Sequence, residues 1–184
     1  MSVPDGSYPI GPPAGQLLVR TGRTGLGARA GHDLTIEVTR WNGTVTVSNA
    51  NPAGSGVTVE VEAGSLEVRE GTGGVKPLTD RDRAEIKRLI SERLLQTGRF
   101  PVITFQSGRV TGDAGSFRID GDLTIAGTTQ PVTVNGRLAD RHAQGRATVT
   151  QSRWGIKPYS GFFGALKLRD EVEVEFDIEL AAAA

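Results

Sequence analysis

Residues 121–136, "GDLTIAGTTQPVTVNG", decide how this chain is read. Leu123 and Ile125 alternate with Asp122 and Thr124; beyond a Gly-Thr-Thr-Gln-Pro connection, Val132 and Val134 alternate with Thr133. Alternation at period two predicts two half-buried strands joined by a short turn, each with one apolar face and one wet face. Those apolar faces look either at an ordinary core or at a guest molecule.

The same pattern extends in both directions. Strands are predicted from Gln16 onward. In residues 33–41, Leu34, Ile36 and Val38 alternate with Thr35, Glu37 and Thr39. Asn42-Gly43 then offers a pair suited to a tight hairpin turn, with residues 44–47 returning. Val57, Val59 and Val61 share one face of residues 57–68, and further strands are predicted at 102–110, 116–125, 130–140 and 145–156. The last, 170–180, is the cleanest: Val172, Val174, Phe176, Ile178 and Leu180 oppose a solvated row of Glu and Asp. Residues 78–100 differ, because Ile86, Leu89, Ile90 and Leu94 fall at helical spacing. One helix is predicted over about 79–97, capped by Thr79 or Asp80, ended by Gly98, and covering an opening or an edge of the sheet. Eight or so antiparallel strands with frequent turn signals suggest a sandwich or an up-and-down barrel. Pro- and Gly-rich residues 1–15 are expected to run irregularly, residues 16–180 to form one domain, and 181–184 to be a tail.

Composition narrows the function. Lys and Arg balance Asp and Glu at 21 each, which argues against a nucleic-acid partner. No stretch approaches the roughly 18 apolar residues of a membrane-spanning helix. The opening "MSVPDGSYPIGPPAG" has no basic region followed by an apolar run, so the expected location is cytoplasmic. Zero cysteines exclude disulfides and thiolate metal sites, and two histidines 110 positions apart make a weak case for zinc.

No motif demands catalysis. "GLGARAG" (25–31) misplaces the third glycine of a dinucleotide fingerprint, and a strand pattern follows it. His32-Asp33 suggests a triad, but adjacent strand residues point to opposite faces, so Asp33 is badly placed to orient His32. His32 reads as a polar residue at a strand entrance or a barrel rim, with contact to a ligand head group as the functional alternative; His142 reads as a solvent-exposed residue of a polar turn. Residues 152–172 concentrate aromatics, with Trp154, Tyr159, Phe162 and Phe163 close together, either plugging the core or forming an aromatic mouth. No catalytic residue, metal or cofactor is expected.

Several blocks resemble the YceI-like family in order and spacing. They are Phe100-Pro101-Val102-Ile103-Thr104-Phe105-Gln106-Ser107, the stretch from Gly121 to Val132, Gly155-Ile156, and Asp170-Glu171-Val172. "GHDLTIEV" with "WNGTV" is similar to the family's amino-terminal His-containing strand and the turn after it. The resemblance implies a mainly β fold: a lipocalin-like, eight-stranded antiparallel β-barrel with one α-helix. It also implies binding of a polyisoprenoid, including quinone-type tails, inside that barrel. Many members are periplasmic.

A barrel of about eight strands either fills with side chains or keeps room for one ligand. In a hollow barrel, Leu34, Ile36, Val38, Val59, Val61, Ile103, Phe105, Leu123, Ile125, Val132, Val134 and Phe176 would line the tunnel. Phe117 would be a further inward ring, and Trp154, Phe162 and Phe163 would pack at one end. The expected role is non-enzymatic binding, transport or storage of an apolar lipid. The competing expectation is a filled barrel acting as an interaction module, for example as a homodimer.

Overall fold

The computed structural model describes residues 3–161 and 166–181. In chain order its strands are β1 (Gly6–Ile10), β2 (Gly15–Arg20), β3 (Arg23–Thr24), β4 (His32–Val38), β5 (Trp41–Val47), β6 (Gly56–Glu62) and β7 (Leu66–Gly73). There follow helix α1 (Asp80–Leu89), β8 (Val102–Asp113), β9 (Ser116–Ile125), β10 (Thr128–Ala139), β11 (His142–Thr150), β12 (Ser160–Gly161), β13 (Leu166–Leu168) and β14 (Glu171–Glu179). One strongly curled antiparallel sheet takes the order β1-β5-β6-β8-β9-β10-β11-β14-β2-β4-β7.

Two bent strands bring the ends of that sheet together. β4 runs into β5 through Thr39 and Arg40, and β6 runs into β7 through the 3-10 turn Ala63–Ser65. Pairing continues through the bend: the Thr39 amide donates to the Ser65 carbonyl, and the Glu62 amide to the Arg40 carbonyl, both at 3.0 Å. Taken as single bent strands, β4/β5 and β6/β7 join β2, β8, β9, β10, β11 and β14 in a circuit of eight, with β1 laid outside on β5. This is the mainly β barrel with one helix that the resemblance implied; the count differs only by the breaks and the short added strands. A bulge between Ser107 and Arg109 adds curl to β8.

Several local expectations are corrected. The β9–β10 turn is only Ala126-Gly127, both at positive φ (48° and 77°), so Thr128 to Pro131 belong to β10. Asn42-Gly43 is no turn. It lies inside β5, where a Cβ at Gly43 would meet the Thr58 carbonyl oxygen at 2.3 Å, so glycine serves a close strand approach. Residues 1–15 are not irregular throughout: β1 pairs with β5, burying Tyr8 and Ile10, and the Tyr8 hydroxyl donates to the Pro4 carbonyl at 2.7 Å. The strand predicted to 156 ends at Thr150, and a 3-10 turn (Gln151–Trp154) closes on Gly155 in the left-handed region.

The helix begins as predicted, with Thr79 and Asp82 forming a reciprocal capping box. It ends early. After Leu89 the chain makes one π-helical turn (Ile90–Leu94), and Gln96 takes a positive φ of 49°, so Gly98 plays no part in the stop. Ile86 and Leu94 pack on a cluster containing Leu34, Ile36 and Ile125, and the Lys87 ammonium pairs with Glu67 on β7. The apolar stripe of α1 thus covers one end of the barrel. A second cluster, with Tyr8, Ile10, Val38, Trp41, Ile178 and Leu180, lies toward the other.

Candidate functional site

The barrel encloses a cavity of about 1240 Å³. That exceeds the roughly 300–1,000 Å³ typical of small-molecule pockets. Its walls follow from strand alternation: the inward positions of β4, β6, β8, β9, β10 and β14 are held mostly by Val, Ile, Leu and Phe, with His32 at the start of β4 and glycine at 121 and 136. The expectation of a barrel filled by its own side chains is overturned by this space.

Three phenylalanines explain how the bore stays wide. A Cβ at Gly121 would meet Phe105 at 2.7 Å; one at Gly136 would meet Phe117 at 2.5 Å; one at Gly145 would meet Phe176 at 2.5 Å. Each ring therefore lies against the wall over a glycine of the neighbouring strand. Rings that would otherwise project toward the axis occupy volume the glycines vacate. Neither these glycines nor Val19, Ile86, Ile119, Val149 and Val174, which also line the cavity, were among the predicted site residues. Mid-strand glycine was the available signal, but assigning each one a ring requires the strand register.

The structure places Leu34, Ile36, Val38, Val59, Val61, Ile103, Phe105, Leu123, Ile125, Val132, Val134 and Phe176 together on the cavity wall. His32 also faces it, at the start of β4, with Nε2 sharing a hydrogen bond with the Lys76 carbonyl at 2.7 Å. Asp33 turns the other way and accepts from the Arg23 amide at 2.8 Å. Trp154 does not reach the cavity. The 3-10 turn buries it behind the wall, where its Nε1 donates to the Leu123 carbonyl at 2.9 Å. Phe162 and Phe163 lie outside the described residues.

The charged lining residues are confined to the two ends: Lys76, Asp82 and Glu85 near His32, and Asp113 at the far end. Asp82 is held below the usual carboxylate range, first by the Thr79 amide and then by its hydroxyl. On the wall, the buried Trp41 Nε1 finds no hydrogen-bond partner among the described residues. Outside, the acidic row of β14 is solvated and paired: Glu175 with Arg20 at 2.6 Å, and Asp177 with His142 at the opening of β11. Among the described residues no group of three or more His, Cys, Asp or Glu could hold a metal ion, and no helix is long and apolar enough to cross a membrane.

An antiparallel barrel around a long apolar bore, with charged groups only at its ends, has the form of a binding protein. The sequence profile of the YceI-like domain matches residues 19–180, and the chain belongs to that family. Protein YceI of Escherichia coli O6:H1 is 34% identical over 132 residues, covering 71% of this chain and 58% of that protein. A UPF0312 protein of Yersinia enterocolitica is 32% identical over 98 residues, 53% of this chain and 45% of that one. The match therefore spans less than two thirds of the length of these curated relatives. Among solved structures, BcnA of Burkholderia cenocepacia superposes with a TM-score of 0.64 at 16% identity, over 88% of this chain and 94% of that one. The Campylobacter jejuni YCEI protein gives 0.62 at 11% identity, over 81% and 85%. At these identities the likeness is one of fold.

Proposed function

We propose that this chain binds a long apolar lipid, a polyisoprenoid or the tail of an isoprenoid quinone, lengthwise in the barrel, and transports or stores it without chemistry. The observation that supports this reading is the large bore whose charged lining is confined to its ends. A dry apolar cavity favours an apolar occupant over water. A prenyl chain needs no polar partner along its length and gains roughly 25 cal/mol for each Å² removed from water. His32 offers the cargo a polar contact at the α1 end. The arrangement around His32 favours binding over catalysis, since Asp33 is engaged by Arg23 and the imidazole by a backbone carbonyl.

The test is an organic extract of the purified protein, analysed by mass spectrometry. An isoprenoid in amounts comparable to the protein is the expected result. Empty extracts together with failure to bind hydrophobic fluorescent probes would remove the reading.

A further inference from the structure

The α1 end of the barrel has a chemistry that cargo binding alone does not require. Three segments meet there. Residues 21–31 are tied to the described parts of 151–169 (151–161 and 166–169) by a small sheet, with β13 pairing both β3 and β12, and by the Arg169 amide donating to the Gly22 carbonyl at 2.7 Å. Residues 73–79 join them through the His32 bond to Lys76, and through Arg23, whose guanidinium occupies the place a Gly73 Cβ would take. Ala30, Lys76, Tyr159 and Leu168 from these segments all reach the cavity.

These three segments contain seven Lys and Arg and no Asp or Glu, in a chain whose total charge is zero; α1 beside them sets Asp80, Asp82 and Glu85 against Arg81, Arg83, Lys87 and Arg88. Arg29, Lys76, Lys157 and Lys167 are exposed, and none makes an ion pair among the described residues. The same segments present Leu26 at 103% exposure, Val75 at 80% and Tyr159 at 40%. They hold three of the four large apolar residues that stand exposed among the described residues; the fourth, Val102, is on the barrel wall beside Arg40 and Glu62. At the opposite end, residues 48–55 carry no charge at all.

We propose that this end docks on an anionic membrane surface. Unpaired cations are drawn to acidic head groups, and apolar side chains projecting among them enter the boundary between head groups and acyl chains. Because Val75 and Tyr159 also line the cavity, docking would set its mouth against the bilayer, where an apolar chain could pass across without meeting water. The inference goes beyond the cargo reading, and can be tested without cargo.

The experiment is co-sedimentation of the full chain with vesicles free of isoprenoid. One set is pure phosphatidylcholine; the other contains about one third phosphatidylglycerol. Binding is expected only to the anionic set and should weaken as salt rises. The triple variant Lys76→Gln, Lys157→Gln, Lys167→Gln should lose about a hundredfold in affinity. Leu26→Ser with Val75→Ser should lose at least about tenfold. A control pair on the wall, Arg109→Gln with Arg137→Gln, should bind as the parent does. All these side chains are exposed, so unchanged circular dichroism accompanies each variant. Equal binding to both vesicle sets, no binding to either, or a wall pair as damaging as the triple would overturn the proposal; failure on vesicles with capture of a protein through these loops would assign the patch to a protein partner. Docking with empty extracts refutes the cargo reading alone, and loaded extracts without docking refute this one alone.

Discussion

The two ends of the barrel solve different problems. At the far end the chain packs: Val3, Tyr8, Ile10, Trp41 and Leu180 are buried together, β1 is laid across β5, and the loop at 48–55 is uncharged. At the α1 end it projects: a short capped helix leans over the opening, and the loops around it expose Leu26 and Val75 among lysines and arginines. Between them the wall is made of alternating aliphatics and of rings folded flat over glycines. Both ends carry a buried cluster, but only the α1 end adds loops whose apolar groups are free to meet another phase.

Filling the space between the ends should have the largest effect. Val59→Trp combined with Val134→Trp places two indoles in the bore and should reduce extractable lipid at least about tenfold, while the protein stays folded. The same insertion into the packed far end, Val3→Trp, meets a side chain only 2% exposed that does not line the cavity, and should cost about 1–3 kcal/mol or more. Urea denaturation with extraction reads both. A double variant that unfolds as readily as Val3→Trp would show that the bore is not open space.

Truncations sharpen the contrast next. Leu180→Ala, at 2% exposure, removes a buried anchor of the far cluster and should destabilise by about 2–5 kcal/mol. Leu26→Ala at the α1 end should change stability by less than about 0.5 kcal/mol, because no packing is lost. Equal effects in urea titrations would erase the distinction between an anchored and a projecting end.

Much of this architecture was legible in the sequence, and the failures have physical causes. Alternation assigned the inner faces of β4, β6, β9, β10 and β14, because a period of two fixes which side chains share a face whatever the partner strand. Asn42-Gly43 misled, since a glycine needed for close strand approach and one needed for a turn look identical in one dimension. β1 was hidden among prolines and glycines, and only its docking on β5 makes Tyr8 and Ile10 a buried face. Trp154 was assigned to the right region but the wrong layer, because a left-handed Gly155 turns it behind the wall. The openness of the bore was not legible. It depends on cross-strand register setting Phe105, Phe117 and Phe176 over particular glycines, which no local pattern encodes.

The helix cap offers a smaller effect, confined to one end. Thr79→Ala removes the hydroxyl that accepts from the Asp82 amide at 3.2 Å and donates to its carboxylate at 2.7 Å. Losing such a cap costs about 1 kcal/mol. Hydrogen exchange should quicken in residues 80–94 and stay unchanged in β1 and β5. Quickening at both ends would mean that the helix is coupled to the far cluster and is not a separate cover.

Acid should produce the smallest effect with the same address. The Thr79 amide and hydroxyl lower the Asp82 pKa in the folded protein, so the carboxylate favours folding when ionised. That contribution is complete above the unfolded carboxyl value of about 3.9 and disappears as pH falls through the lower folded value. Glu62 and Asp120 are lowered in the same direction by Arg40 and Arg118, and both lie on the barrel wall away from the helix. Below about pH 4, hydrogen exchange in α1 should therefore rise toward that of Thr79→Ala, and the variant should respond less to acid than the parent. If acid instead opens β1 and β5 while α1 stays protected, the carboxylates that matter belong to the far end, and the division of labour between the two ends is wrong.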